Sequence, residues 1–228
     1  MKLLLQPGPM QLSRVIPFKH VLFTLVSILN FQLTMCQLPE KHEVVKFLAL
    51  GDSYTIGESV AENHRWPVQF VDALTSSGYR CNPPDVIART GWRTDDLKHA
   101  IEQEKSSGKY NLVSLLIGVN NQYQGKSAAS YAPEFEELLQ IAIGLAGGKK
   151  GSVFVLSIPD YGFTPFGKDK RQEISQAIDA FNDLNRRIAE KYGVTYFDIT
   201  PISRKGLEDP SLVAEDGLHP SARMYAQW

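Results

Sequence analysis

The sequence predicts an α/β protein, a doubly wound three-layer α/β/α sandwich around a five-stranded parallel sheet. Two observations predict this fold: short apolar segments alternate with segments of helical periodicity, and several of the apolar segments are apolar at nearly every residue. Strands of that kind are typical of a parallel sheet that helices cover on both faces. Right-handed crossovers between parallel strands then place helices on both sides of the sheet.

Length and composition bound the class of protein. The 228 residues are 43% hydrophobic and 21% charged, with 24 basic and 25 acidic side chains. This composition excludes a disordered tail. A net charge of −1 lacks the basic surface that phosphates require, so we expect no nucleic-acid partner. The length suits one domain of ordinary size.

Residues 1–36 have the pattern of a signal peptide, which leaves residues 37–228 as the folded domain. Three basic residues are the only charged ones before Glu40, and they precede an uncharged, mostly apolar stretch over residues 21–36. That stretch is shorter than the about 20 apolar residues that span a bilayer. We therefore expect a protein that is secreted or that resides in the periplasm or cell envelope.

Cys36 offers an alternative to a plain signal peptide. Leu33-Thr34-Met35-Cys36 is similar to the lipidation box of bacterial lipoproteins, although Met35 stands where a small residue is expected. We expect membrane association only through an N-terminus that is lipidated in this way or left uncleaved.

The elements of the predicted sheet follow one another in regular order. In the first helix, Pro67 suits the first turn and Gly78 suits the end. In the last helix, apolar residues recur at spacings of three and four. The predicted strands cover residues 44–50, 85–88, 112–117, 153–158 and 194–199. The predicted helices cover residues 66–74, 95–105, 133–145 and 174–188. Because ligands of such sheets bind beyond the carboxyl ends of the strands, we expect the chemistry directly after them.

A candidate nucleophile follows the first strand, in Gly51-Asp52-Ser53-Tyr54-Thr55-Ile56-Gly57. A serine at a strand-to-helix turn can present its hydroxyl above the sheet. The segment is not the nucleophile elbow of α/β-hydrolases, because Thr55 occupies the place of that motif's last glycine. Taken alone, it fits equally well a turn in which Asp52 and Ser53 cap the local backbone.

A candidate acid–base pair lies near the other end of the chain, where Asp216 precedes His219 by three residues. A carboxylate at this spacing can meet the imidazole across one turn, fix its tautomer and stabilise its charged form. A surface loop with an exposed histidine is the alternative. Two candidate oxyanion donors follow the second and third strands: the amide of Gly91 and the side chain of Asn120. Each of these two could by itself be an ordinary turn residue.

Together, the four segments resemble the GDSL or SGNH hydrolase superfamily, whose four sequence blocks centre on Ser, Gly, Asn and His. The matching residues are Ser53, Gly91, Asn120, and Asp216 with His219. The resemblance extends from about Val45 to the end of the chain and implies a flavodoxin-like sandwich.

The resemblance also implies a serine hydrolase that acts on carboxylic ester bonds without a metal or cofactor. Ser53 would be the nucleophile, His219 the general base and then acid, and Asp216 the carboxylate that orients it. The amides of Ser53 and Gly91 and the side chain of Asn120 would form the oxyanion hole.

Lysophospholipase-like arylesterases are the nearest resemblance within the superfamily. The expected partner is a small-molecule, lipid or carbohydrate ester, such as a lysophospholipid, a short-chain ester or an acetyl ester. We expect Tyr123, Asp160, Tyr161 and Phe166, in the loops after the third and fourth strands, to contact it. Two alternatives stay open: an acyltransferase, in which an alcohol displaces water from the same acyl-enzyme, and a non-catalytic binding domain.

The chain departs from the superfamily pattern in three places. Asn121 stands where an aspartate is frequent and Tyr54 where a leucine is frequent, and we expect both to affect packing rather than catalysis. Trp228 lies nine residues after His219, where relatives usually continue into a final helix. We therefore expect part of one face of the sheet to be uncovered.

Overall fold

The computed structural model describes residues 36–104 and 110–228, so the predicted signal peptide lies outside the described residues except for Cys36. None of the helices in the described ranges is long and apolar enough to cross a membrane. The strands are β1 (Val44–Val45), β2 (Phe47–Gly51), β3 (Arg80–Cys81), β4 (Asp85–Ala88), β5 (Leu112–Leu116), β6 (Val153–Leu156) and β7 (Thr195–Phe197). The helices are α1 (Ser53–Ile56), α2 (Trp66–Ser76), α3 (Thr94–Glu104), α4 (Val119–Tyr123), α5 (Ala128–Leu145), α6 (Arg171–Tyr192), α7 (Thr200–Ser203) and α8 (Ala222–Tyr225).

The main sheet has five parallel strands in the order β4-β2-β5-β6-β7, which confirms the predicted parallel sheet. The small strands β1 and β3 pair with each other in a separate parallel ribbon. All residues of β2, β5 and β6 are buried, whereas the edge strands β4 and β7 are partly exposed. The strands that are apolar throughout are thus the central ones, which helices cover on both faces.

The helices complete the predicted three-layer sandwich. Helix α5 packs against both α3 and α6, whereas α2 packs against α8. An aromatic cluster ties α2 to the sheet, because Phe70 lies 5.2 Å from Phe47 and 5.7 Å from Phe154, measured between ring centroids. This cluster joins one helical layer to β2 and β6, the strands on either side of β5.

Helix α5 begins earlier than predicted. The expected start was Pro133, but the helix begins at Ala128, where the hydroxyl of Ser127 accepts a hydrogen bond from the amide of Ser130 at 3.2 Å. Pro133 lies inside the helix, in its second turn, where its missing N–H leaves one intrahelical hydrogen bond unmade without ending the helix. The serine cap therefore outweighs the proline as the signal for the helix start.

An apolar groove remains open beside α2 and α8. It has a volume of about 490 Å³, and its lining includes Trp66, Phe70, Phe197 and Trp228. Phe197 is 45% exposed in this groove, although it belongs to a strand of the sheet. Edge strand β7 thus exposes part of an apolar side chain, and the expectation that one face of the sheet lacks a covering helix stays a prediction.

Candidate active site

Ser53 is placed by the junction between β2 and α1. It is the first residue of α1, and the carboxylate of Asp52 caps this helix by accepting a hydrogen bond from the amide of Tyr54 at 3.0 Å. The chain turns sharply again at Gly57, whose amide donates to the carbonyl of Ser53. The side chain of Ser53 therefore emerges directly beyond the carboxyl end of a central strand, as predicted.

Asp216 and His219 form a closed turn. Nδ1 of His219 lies 2.6 Å from Oδ2 of Asp216, and Oδ1 accepts the amides of Leu218 and His219, each at 2.9 Å. Partial burial by itself would raise the pKa of Asp216, but its hydrogen bonds from His219, Ser59 and these amides outweigh burial and lower it well below the usual range. Asp216 is consequently ionised at neutral pH, and the nitrogen of His219 that remains for chemistry is Nε2.

The predicted nucleophile and base line the same cavity. Ser53, Tyr54, Leu218 and His219 all border it, and the ring of Tyr54 meets the imidazole edge-on at 5.7 Å between centroids. Among the described residues, Ser53 Oγ and His219 are not joined by a direct hydrogen bond. Catalytic contacts of this kind often tighten only when substrate is bound.

The predicted oxyanion donors face the same cavity. Gly91, Asn120 and Ser53 all line it. Gly91 has a φ of +83°, a conformation that favours glycine, so the turn after β4 can present its amide there. One amide hydrogen of Asn120 Nδ2 is donated to the carbonyl of Trp92 at 2.9 Å, which fixes the orientation of the group and leaves its second hydrogen for a ligand.

Gly118 lets the turn that leads to Asn120 pack closely against Tyr131. It has a φ of +128°, and a Cβ added there would lie 2.6 Å from the hydroxyl of Tyr131. Asn121, the next residue, is fully buried: its Oδ1 accepts the amide of Thr94 at 3.2 Å and its Nδ2 donates to the Thr94 hydroxyl at 2.7 Å. Asn121 thus joins α4 to α3, in agreement with the expected packing role.

The cavity has a volume of about 190 Å³ and is mostly apolar. Three aromatic residues form one side of it, with centroid distances of 6.1 Å between Tyr123 and Tyr161, 6.2 Å between Tyr123 and Phe166, and 6.3 Å between Tyr161 and Phe166. We call these three residues the aromatic rim. Tyr123 is 60% exposed and Phe166 54%, so they stand at the cavity mouth, whereas Tyr161 is buried beneath them.

Asp160 does not line this cavity, which corrects the expectation that it contacts substrate. It is buried, and its Oδ1 accepts the amide of Gly162 at 2.9 Å. Its Oδ2 accepts the hydroxyl of Ser175 at 2.7 Å and Nε of Arg204 at 2.9 Å. A buried carboxylate requires such partners, so Asp160 holds the loop that carries Tyr161 and Phe166.

Asp52 has an unusual environment beneath Ser53. Burial raises its pKa to about 7, although the amides of Tyr54, Asp52 itself and Gly118 favour the ionised form. Its Oδ2 is buried and has no hydrogen-bond partner within the described part of the chain. The helix cap that positions Ser53 is therefore a carboxyl group that changes charge near neutral pH.

Several residues of the site were not found from the sequence. Thr90, Val119 and Leu218 also line the cavity, each beside a predicted residue. Ser59 donates a hydrogen bond to Asp216 across 157 positions of sequence. Neighbours of motif residues could have been inferred from adjacency, whereas no local pattern announces the contact of Ser59.

A known protein family matches most of this chain. Residues 49–227 match the model of the GDSL-like lipase/acylhydrolase family. No curated protein matches the sequence significantly.

Solved structures share the fold at low sequence identity. TesA is 16% identical, with a TM-score of 0.62 over 81% of this chain and 93% of that one. Phospholipase A1 from Streptomyces albidoflavus NA297 is 19% identical, with a TM-score of 0.61 over 81% and 95%. A carbohydrate acetylesterase family member from Sinorhizobium meliloti is 16% identical, with a TM-score of 0.61 over 80% and 92%.

Proposed function

This chain belongs to the GDSL-like lipase/acylhydrolase family of serine ester hydrolases, and we propose that it cleaves short-chain, uncharged esters through an acyl-enzyme on Ser53. The predicted family resemblance is thereby confirmed, and so is its consequence that the protein is an ester hydrolase. The observation that carries the finer proposal is the convergence of Ser53, Gly91, Asn120 and His219 on one small apolar cavity.

The proposed reaction follows from the positions of these groups. Nε2 of His219 accepts the proton of Ser53 Oγ as the oxygen attacks the ester carbonyl. The carbonyl oxygen becomes an oxyanion, which receives hydrogen bonds from the amides of Ser53 and Gly91 and from Nδ2 of Asn120. The tetrahedral intermediate then expels the alcohol, which takes the proton from His219, and the acyl group remains on Ser53. Water activated by His219 releases the acid in a second, equivalent cycle.

The lining of the cavity supports a short, uncharged substrate. Its volume of about 190 Å³ is small, and none of its lining residues is an Asp, Glu, Lys or Arg. A phosphate-bearing headgroup would find no Lys or Arg among these lining residues, whereas the aromatic rim offers rings to an apolar acyl or alkyl group. A lysophospholipid is therefore less favoured here than a short-chain ester.

Hydrolysis of p-nitrophenyl acetate, butyrate and octanoate by the wild-type chain, Ser53→Ala and His219→Ala tests the mechanism. We expect both variants to lose at least about 10⁴-fold in kcat, because each removes a group that acts in the bond-breaking step. A fluorophosphonate should label the wild type and spare Ser53→Ala. Activity that survives in Ser53→Ala would overturn the proposed nucleophile, and capture of most acyl groups by an added alcohol would identify an acyltransferase instead.

The same esters test the aromatic rim. Phe166→Ala removes an exposed ring, so we expect kcat/KM for octanoate to fall about fivefold relative to acetate. Phe163→Ala provides a matched control, since Phe163 lies on the same loop and is not among the cavity-lining residues. Equal losses for all three esters in Phe166→Ala would contradict a role of the rim in acyl recognition.

We also propose that residues 1–36 direct export and that the domain of residues 37–228 acts outside the cytoplasm. The support is the basic, then apolar pattern of the first 36 residues. N-terminal sequencing of the processed protein should find a new terminus near Gln37. A mass increase on Cys36 consistent with a lipid would identify the lipoprotein alternative.

A further inference from the structure

The loop after α1 contains a backbone conformation that calls for an explanation. Ser59 has a φ of +63°, and among the described residues it alone combines a side chain larger than hydrogen with a positive φ. Such conformations cost energy in residues other than glycine and persist where the surrounding structure holds them in place. Ser59 is exposed, so dense packing around its side chain does not impose this conformation.

The side chain of Ser59 reaches the predicted acid of the catalytic pair. Its hydroxyl donates to Oδ2 of Asp216 at 2.7 Å, the same oxygen that lies 2.6 Å from Nδ1 of His219. Oδ1 is occupied by the amides of Leu218 and His219. Of these four donors to the Asp216 carboxylate, three belong to its own turn and only Ser59 comes from another part of the chain.

The residue before Ser59 makes a similar contact on the other side of the cavity. Oε2 of Glu58 accepts a hydrogen bond from the hydroxyl of Thr90, which immediately precedes Gly91. Two consecutive residues of one loop thus contact the turn that carries the base and the turn that carries an oxyanion donor. The loop itself begins only a few residues after Ser53, at the end of the short helix α1.

We propose that Ser59 is a positioning residue for ester hydrolysis, which holds the Asp216 carboxylate so that the imidazole of His219 faces Ser53, while Glu58 holds the Gly91 turn in register with it. This inference rests on the proposed catalytic roles of Ser53, Asp216 and His219. Without the Ser59 hydroxyl, Asp216 keeps its local amide bonds but loses the one contact that joins its turn to the nucleophile loop. The imidazole then samples more orientations, and fewer of them suit proton transfer.

Ser59→Gly separates positioning from folding. Glycine removes the hydroxyl and also relieves the backbone strain at this φ, so the relief of strain offsets the lost hydrogen bond and we expect a Tm near that of the wild type. We expect kcat to fall about 5- to 10-fold, within the range of one ordinary hydrogen bond, while KM stays within about twofold. Activity that falls while stability does not is a result that a merely structural role would not produce.

Ser59→Ala and Ser77→Gly complete the comparison. Alanine lacks the hydroxyl but keeps the strain, so this variant should lose as much kcat as Ser59→Gly and have the lower Tm of the two. Ser77 is an exposed serine at the end of α2, where its hydroxyl bonds only the local carbonyl of Ala73. Ser77→Gly should therefore retain the wild-type kcat.

The imidazole gives a readout that does not depend on turnover. The downfield proton NMR signal of His219 Nδ1–H should shift in Ser59→Gly and stay in place in Ser77→Gly. Any of three results in Ser59→Gly would overturn the proposal. They are a wild-type kcat, an unshifted NMR signal, and a loss of kcat that comes with a clearly lowered Tm. If the wild-type chain hydrolyses no ester but the signal still shifts, the proposed function fails while the contact between Ser59 and the pair stands.

Discussion

Two apolar depressions on the domain differ in how their polar atoms are held. The candidate catalytic cavity has about 190 Å³, and its polar groups are oriented, with Asn120 bonded to a carbonyl and His219 to Asp216. The groove beside α2 is more than twice as large, at about 490 Å³, but the indole nitrogens of Trp66 and Trp228 are buried there without a hydrogen-bond partner in the described chain. Oriented polar groups, rather than volume, distinguish a site that can do chemistry.

Among the substitutions that test this contrast, we expect Asn120→Ala to have the largest effect on kcat. It removes one oxyanion donor from the cavity, so kcat should fall about 10²- to 10³-fold while the Tm changes little. Steady-state kinetics with p-nitrophenyl butyrate and a thermal melt measure both quantities. Asn63→Ala, at an exposed position of the one-turn 3₁₀ helix Glu62–His64 and not among the cavity-lining residues, is the control and should behave as wild type. A loss of less than about threefold in Asn120→Ala would remove Asn120 from the oxyanion hole.

The opposite result is expected in the groove, from Phe70→Ala. The ring of Phe70 packs on Phe47 and Phe154 and is half-buried, so its loss should lower the free energy of unfolding by about 2 kcal/mol. The kcat of the folded protein should be unchanged, because the groove contributes no group to the reaction. Urea denaturation and kinetics at low temperature check the two halves of this prediction. A Phe70→Ala protein of full stability and reduced kcat would break the contrast between the two depressions.

A pH-dependent effect on stability is expected beneath Ser53, from Asp52→Asn. The pKa of Asp52 is about 7 in the folded protein and near 3.8 in the unfolded chain, so its ionisation favours unfolding as pH rises from about 4 to 7. Asparagine keeps the cap to Tyr54 but cannot ionise. The stability of Asp52→Asn relative to wild type should therefore increase from about pH 4 to about pH 7 and stay constant above pH 7.

Thermal melts of wild type and Asp52→Asn from pH 4 to pH 8 test this prediction. Asp216 has the opposite dependence on pH. Because the pKa of its carboxyl is lowered in the folded protein, its ionisation stabilises the fold above pH 4, and this stabilisation is lost only as the pH falls further. A stability difference that does not vary with pH would show that Asp52 stays ionised in the folded protein.

Much of the fold could be predicted because its signals are local. The strands β2, β5 and β6, which are apolar at nearly every residue, lie at the centre of the sheet. Most of the periodic apolar residues of the last long helix, namely Ile174, Ile178, Phe181 and Ile188, are buried in α6. The start of α5 was predicted five residues late, since Pro133 is the more conspicuous signal and Ser127 the effective one. Both residues are local signals for a helix start, and the hydrogen bond that the Ser127 hydroxyl accepts is what places the start at Ala128.

The candidate residues of the site were also predictable, because parallel strands bring their carboxyl ends to one edge of the sheet. Ser53, Gly91 and Asn120 follow three such strands, and His219 joins them at the same cavity. The role of Asp160 was not predictable in this way. Its place after a strand is the same kind of signal, but its partners Ser175 and Arg204 come from later segments and withdraw it from the cavity.

The sequence by itself determined the order of strands and helices, the types of group available for catalysis and the edge of the sheet at which they meet. Only the tertiary structure decided which polar atoms of the site are oriented and which hydrogen-bond partners orient them. The bond between Ser59 and Asp216 spans 157 positions, and it forms only after the sheet has brought both loops together. Periodicity and capping depend on neighbours within a few residues, whereas the orientation of a catalytic group depends on contacts that chain folding creates.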